Sequence, residues 1–103
     1  MIIKNKITDL EDMFKECNKL YNTNELKYLN TKNITNFSYM FDGCSSLSDI
    51  KTLQNWNVSK GKDFSYMFSG CSSLSDIKAL EKWNISEYHY DSMFYENIRI
   101  SLL

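Results

Sequence analysis

Apolar residues recur along this chain in a fixed order. Phe37, Met40, Phe41 and Cys44 are followed by Leu47, Ile50, Leu53 and Trp56, and then a polar stretch leads into the same series at Phe64. The dipeptide Met-Phe marks the cycle at Met13-Phe14, Met40-Phe41, Met67-Phe68 and Met93-Phe94, spaced 27, 27 and 26 residues apart. A constant period of this length means one supersecondary unit copied about four times, each copy burying its apolar face against its neighbours. The copies run approximately over 10–36, 37–63, 64–89 and, in part, 90–103, within a single domain.

Comparison of the copies separates core from surface. Phe37–Lys60 and Phe64–Glu87 agree at 18 of 24 positions, so that pair discriminates little. The diverged copy, Leu10–Asn33, keeps six residues of Phe37–Lys60: Met13, Phe14, Cys17, Leu20, Leu26 and Asn30. Five of these are apolar, and where Phe37 and Trp56 are exchanged the replacements are Leu10 and Leu29. The retained set is a core that stacks like on like.

Phe37, Met40, Phe41 and Cys44 stand at i, i+3, i+4 and i+7, which predicts a short helix with one buried face. Asp9, Asn36 and Asp63 are suited to cap it, and Gly43 and Gly70 to end it in a left-handed residue. The second half of each copy is ambiguous. Leu47, Ile50, Leu53 and Trp56 recur every three residues, which fits neither a strand nor a 3.6-residue helix, so a helix begun at Ser48 and a short strand both stay open.

The segments Ser38-Tyr39-Met40-Phe41-Asp42-Gly43-Cys44-Ser45-Ser46-Leu47 and Trp56-Asn57-Val58-Ser59 resemble the surface-protein repeat of the BspA-like leucine-rich-repeat family of bacteria. The resemblance runs from about Ile7 to Asn97. It departs from the usual spacing between Leu47 and Trp56, and Gly61 replaces the apolar residue found at Ile34. It implies a short parallel strand after Gly-Cys-Ser-Ser-Leu, with Met-Phe on an opposite, helical side. The expected fold is therefore an α/β, leucine-rich-repeat-like solenoid of about four repeats, with an all-α solenoid as the alternative. The tail Ile98-Arg99-Ile100-Ser101-Leu102-Leu103 alternates like a strand and is expected to cap the last copy or pair with a second chain.

Charge and composition narrow the function. Net charge is −1 and eleven lysines are scattered, so the basic stripe needed to neutralise phosphates is missing and nucleic acid is not an expected partner. No apolar run is long enough to span a membrane. Met1-Ile2-Ile3 passes directly into Lys4-Asn5-Lys6, without the apolar core of a signal peptide. The expected location is cytoplasmic for the sequence as written, or the cell surface if it is a piece of an exported parent.

Cys17, Cys44 and Cys71 occupy one position in three copies, and an odd, evenly spaced set predicts buried free thiols rather than disulfides or zinc ligands. His89 stands where Asp9, Asn36 and Asp63 stand, which predicts a capping or solvated residue. Trp56 and Trp83 are expected in the core. Asn30, Asn57 and Asn84 are expected as a buried ladder bonded between copies. Asn33, Asn36, Asn57 and Asn84 also begin Asn-x-Ser/Thr sequons, which are read as by-products of the repeat.

No nucleophile, phosphate-binding or paired-carboxylate motif occurs, so neither enzyme activity nor a cofactor is expected. The candidate binding residues lie off the core face. Asp49, Lys51 and Gln54, with Asp76, Lys78 and Glu81 one copy on, make a mixed-sign surface suited to a protein partner. Tyr39 and Tyr66 make an aromatic pair. The expected function is protein–protein interaction, including the adhesion or host-protein contact implied by the resemblance. The alternative is a self-associating homo-oligomer that stacks through its open ends.

Overall fold

The computed structural model describes residues 8–94. Within that span, alternate backbone N–H groups of one copy reach the next. Phe37 N–H donates to Asp63 O (2.8 Å), Tyr39 to Ser65 O (2.9 Å), Phe41 to Met67 O (2.9 Å) and Gly43 to Ser69 O (2.7 Å). Leu10, Asp12, Phe14 and Glu16 do the same toward Asn36, Ser38, Met40 and Asp42. The residues between them close tight turns within the copy, as when Asp42 N–H donates to Tyr39 O and Cys44 N–H to Phe41 O.

This arrangement replaces the predicted helix. Tyr39 has φ 59° and Tyr66 φ 60°, left-handed values that no α-helical residue adopts, and Asp12 matches them at 63°. Gly43 (φ 78°) and Gly70 (φ 75°) are left-handed as expected, but they end a series of turns and not a helix. Asp9, Asn36 and Asp63 also keep their capping chemistry without a helix. Each side-chain oxygen accepts the N–H two residues on, from Glu11 (2.8 Å), Ser38 (2.9 Å) and Ser65 (2.9 Å).

The second half of the copy resolves into three 3-10 helices, η1 (Asn24–Tyr28), η2 (Lys51–Asn55) and η3 (Lys78–Lys82). Three residues per turn is the period of that helix, which accounts for the three-residue spacing of Ile50, Leu53 and Trp56. Leu53 N–H donates to Ile50 O and Trp56 N–H to Leu53 O, so the apolar residues also close the turns. Just before η2, Asp49 pairs with Asn22 in an isolated parallel bridge, and Asn36 pairs likewise with Asp9 and Asp63. Ile50 then turns away (φ −117°, ψ 23°), so no strand propagates.

The α/β solenoid and its all-α alternative are both overturned. Among the described residues there is no β-strand and a single α-helix, α1 (Glu87–Met93), which spans the junction of the third and fourth copies. The chain is instead a small compact globule of turns and 3-10 helices. Its radius of gyration of 12.9 Å matches the ~13 Å of a folded chain of about 100 residues. The predicted terminal strand at Ile98–Leu103 lies outside the described residues.

The predicted core is buried in the second and third copies. In the first, Met13 is 50% exposed, Asn30 is exposed, and Phe14, Cys17, Leu20 and Leu26 are only partly buried, because no preceding copy covers them among the described residues. Phe37, Met40, Phe41, Cys44, Leu47 and Leu53 are fully buried, as are Met67, Phe68, Cys71 and Leu74 one copy on. Rings stack in columns: Phe14 on Phe41 (5.7 Å), Phe41 on Phe68 (5.5 Å) and Phe68 on Phe94 (5.7 Å), with Phe37 on Phe64 (5.1 Å) beside them. Phe64 also explains Gly61, since a Cβ on that glycine would lie 2.4 Å from the Phe64 ring. Trp56 and Trp83 are buried and stacked at 6.3 Å, and their indole N–H groups donate to Leu26 O (3.3 Å) and Leu53 O (2.8 Å).

Two expectations for polar residues are corrected. Asn30, Asn57 and Asn84 are exposed, and the side chains of Asn30 and Asn57 accept N–H bonds from Lys32 and Ser59 of their own copies (both 3.0 Å). The bond between copies at this corner comes from buried Thr31, whose Oγ1 donates to the backbone O of Asn57 (2.9 Å). His89 is not a cap either. It lies inside α1, donates its N–H to the capping hydroxyl of Ser86 (3.2 Å) and packs its ring on Phe64 at 5.1 Å.

Phe41→Ala removes a fully buried ring stacked on both sides and is expected to cost about 3–5 kcal/mol. Tyr28→Ala, at an 82% exposed ring, is expected to stay within about 0.5 kcal/mol. Urea denaturation followed by tryptophan fluorescence measures both, and equal costs would mean that this inside–outside assignment is wrong.

Candidate functional site

The turn before each 3-10 helix positions the charged side chains. Asp49 Oδ1 accepts the Lys51 N–H (2.9 Å) and Asp76 Oδ1 accepts the Lys78 N–H (3.1 Å), which sets the same Asp-x-Lys corner at the same place in two successive copies. Asn22 forms the corresponding corner with Asn24 in the first copy (3.0 Å). The polar faces of η2 and η3 then lie side by side over the buried Leu53 and Leu80.

All six predicted residues of the charged face meet in one shallow open cleft of about 510 Å³. Asp49, Lys51, Gln54, Asp76, Lys78 and Glu81 line it, together with Lys82 and the turn residues between. With Lys82 included, the lining holds three carboxylates and three ammonium groups, so the cleft is balanced in sign. Lys82 was missed by the sequence reasoning, although it replaces Asn55 of the preceding copy and so belongs to the positions that vary off the core.

Tyr39 and Tyr66 do come together, with rings stacked at 5.0 Å and 10° apart, both half-buried. Lys15 of the first copy lies over the Tyr39 ring at 5.2 Å. A separate depression of about 340 Å³ joins Tyr66 to Ser65, Tyr88, Asp91 and Ser92. Tyr88 and Asp91 were not legible as a site, because they meet Tyr66 only through α1.

All three cysteines are free, and Cys44 and Cys71 are buried as expected, whereas Cys17 is only partly buried. Cys44 Sγ donates to Phe14 O (3.0 Å) and Cys71 Sγ to Phe41 O (3.2 Å), each bond joining adjacent copies. Burial pushes Cys44 up to about 11 and Cys71 up to about 12, with the neighbouring cysteine adding to the rise, so both are protonated at neutral pH. Among the described residues no three His, Cys, Asp or Glu side chains are grouped to hold a metal ion, and no helix is long and apolar enough to cross a membrane.

A core of copied turns carrying a charged cleft on its outer corners describes a repeat protein with an exposed polar face. The chain belongs to the family described as Mycoplasma protein of unknown function, DUF285, whose family model matches residues 3–101. Comparison with curated proteins and with solved structures gives no match.

The thiols carry a pH prediction. Their folded pKa values lie above the ordinary value of 9.0, so the folded state holds protons that the unfolded chain releases from about pH 9 upward. The stability they contribute is complete below pH 9 and declines as pH rises toward 11 and 12. Cys44→Ala/Cys71→Ala is therefore expected to start less stable and to lose less melting temperature than the parent between pH 8.5 and about 10.5. Parallel curves for the two proteins would refute the assignment.

Proposed function

We propose that this chain is a non-enzymatic protein-binding module whose recognition surface is the charged cleft over η2 and η3. The carrying observation is that two successive copies present the same Asp-x-Lys corner, in register, on one open surface with Gln54, Glu81 and Lys82. A mixed-sign surface of this kind selects a partner of complementary charge pattern and adds little non-specific affinity. The buried, protonated thiols support the non-enzymatic reading. The resemblance of the Met-Phe…Gly-Cys-Ser-Ser-Leu…Trp-Asn repeat to bacterial surface proteins favours adhesion or host-protein contact as the setting. Lys51→Glu/Lys78→Glu reverses two exposed charges without touching the core. A partner retained by the immobilised parent is expected to bind the variant about tenfold more weakly, with an unchanged near-ultraviolet circular dichroism spectrum. Equal retention would remove the cleft from consideration.

A second reading, self-association through the first copy, also has an observation behind it. Three of the four exposed large apolar side chains among the described residues lie there, Met13 (50%), Tyr21 (60%) and Tyr28 (82%), the fourth being Tyr88 of α1. Phe14, Cys17, Leu20, Leu26 and Leu29 are only partly buried, whereas their counterparts in the second copy are covered. On this reading, light scattering gives a mass above 12.2 kDa that rises with concentration and returns to monomer in Tyr21→Ser/Tyr28→Ser. A constant monomer mass excludes it.

A further inference from the structure

We infer that Cys17 and Cys44 form an oxidation site at which a hydroperoxide links the first copy to the second through a disulfide. The site lies apart from the charged cleft and does not depend on it.

The backbone brings the two residues together. Phe14 N–H donates to Met40 O (2.8 Å) and Glu16 N–H to Asp42 O (2.6 Å), so the segments leading into both cysteines run side by side. The Phe14 carbonyl then accepts from both residues at once, from the Cys17 N–H (3.0 Å) and from Cys44 Sγ (3.0 Å). Cys44 Sγ therefore sits against the Cys17 backbone, close enough for the charge on one thiol to act on the other. Cys17 and Cys44 hold the same place in their copies, as Phe14 and Phe41 do three residues earlier, and those rings stack at 5.7 Å. A disulfide needs Cα atoms about 4.4–6.8 Å apart, a range that copies stacked at this spacing fall within.

Burial sets the order of events. Cys17 is partly buried, whereas Cys44 and Cys71 are fully enclosed. Cys17 is thus the thiol that a small oxidant meets first. Its Sγ attacks one oxygen of hydrogen peroxide, the O–O bond breaks, and the departing hydroxide leaves as water with the Cys17 proton. Cys44 Sγ then attacks the resulting sulfenic sulfur, the S–O bond breaks, and the hydroxyl leaves as a second water with the Cys44 proton. Two thiols lose two electrons in all, and the peroxide gains them. Cys71 keeps its bond to Phe41 O (3.2 Å) in the closed core and is not consumed. The first copy is where such a link has most to hold. No residue of η1 is buried, and Phe14, Leu20, Leu26 and Leu29 are only partly covered.

The test treats the reduced full chain with a slight excess of hydrogen peroxide, blocks the remaining thiols in denaturant and maps the tryptic peptides by mass. Trypsin cuts at Lys32 and Lys62, among others, so the three cysteines fall in separate peptides. The expected product is a monomer lighter by two hydrogens, with the Cys17 and Cys44 peptides joined and Cys71 free. Cys71→Ala is expected to form the same link, and Cys17→Ser to keep Cys44 reduced under the same exposure. Because the link closes the chain between residues 17 and 44, the oxidised protein is expected to melt several degrees higher than the reduced one. A Cys44–Cys71 link, a dimer joined through Cys17, Cys17 sulfinic acid with Cys44 still free, or an oxidised monomer that melts no higher would each overturn the proposal. None of these outcomes bears on partner binding at the charged cleft.

Discussion

The structure depends on backbone hydrogen bonds that leave one copy and enter the next at every second residue. Four such bonds, from Phe37, Tyr39, Phe41 and Gly43, tie the second copy to the third, and the equivalent set ties the first to the second. They are possible only because left-handed residues at Asp12, Tyr39 and Tyr66, and again at Glu16, Gly43 and Gly70, swing successive N–H groups alternately outward and inward. An α-helix would turn every one of those N–H groups back on its own segment and leave the copies joined by side chains alone. The five-residue 3-10 helices have no independent stability, and η2 and η3 persist because Leu53 and Leu80 are locked into the shared core. The register set by the backbone also stacks Phe on Phe, Tyr on Tyr and Trp on Trp at 5.0–6.3 Å.

Much of the interior was legible in the sequence. Leu10, Phe37, Met40, Phe41, Cys44, Leu47, Leu53 and Trp56 declare themselves by recurring as apolar residues through divergence, and all are buried. The secondary structure was not. Phe37, Met40, Phe41 and Cys44 satisfy helical spacing and also satisfy a run of tight turns, since both put residues three and four apart on one side. Only the neighbouring copy decides between them, because it offers carbonyls that outcompete the i−4 acceptors of a helix. Nothing in the identity of Tyr39 announces a left-handed residue. The three-residue period after Leu47 was the clearest unused signal, because it is the period of a 3-10 helix. The buried asparagine ladder failed for a related reason: an asparagine that closes its own turn, as Asn57 does on Ser59, has no need of a neighbour.

The candidate surface follows from the same geometry. Residues excluded from the columns must lie at the corners, so Asp49, Lys51 and Gln54 and their counterparts were found by elimination and converge because the copies are in register. The pocket at Tyr66 was hidden. It requires α1, which among the described residues forms only at the junction of the third and fourth copies, where Ser86 caps a helix in place of the usual turn. Repetition thus builds one surface from equivalent positions, and the break in repetition builds another. The two ends of the described stack also differ. The last copy covers Phe68 with Phe94 and pairs Tyr66 with Ser92, while the first leaves Met13, Tyr21 and Tyr28 in contact with solvent.

The central claim is that backbone bonds between copies replace helical bonds within them, and nuclear magnetic resonance detects such bonds directly through the coupling of a donor nitrogen to its acceptor carbonyl carbon. The account predicts correlations from the Tyr39 nitrogen to the Ser65 carbonyl and from Phe41 to Met67, each 26 residues away. Correlations from Phe41 to Phe37 and from Gly43 to Tyr39, the i−4 pattern of an α-helix, would contradict it.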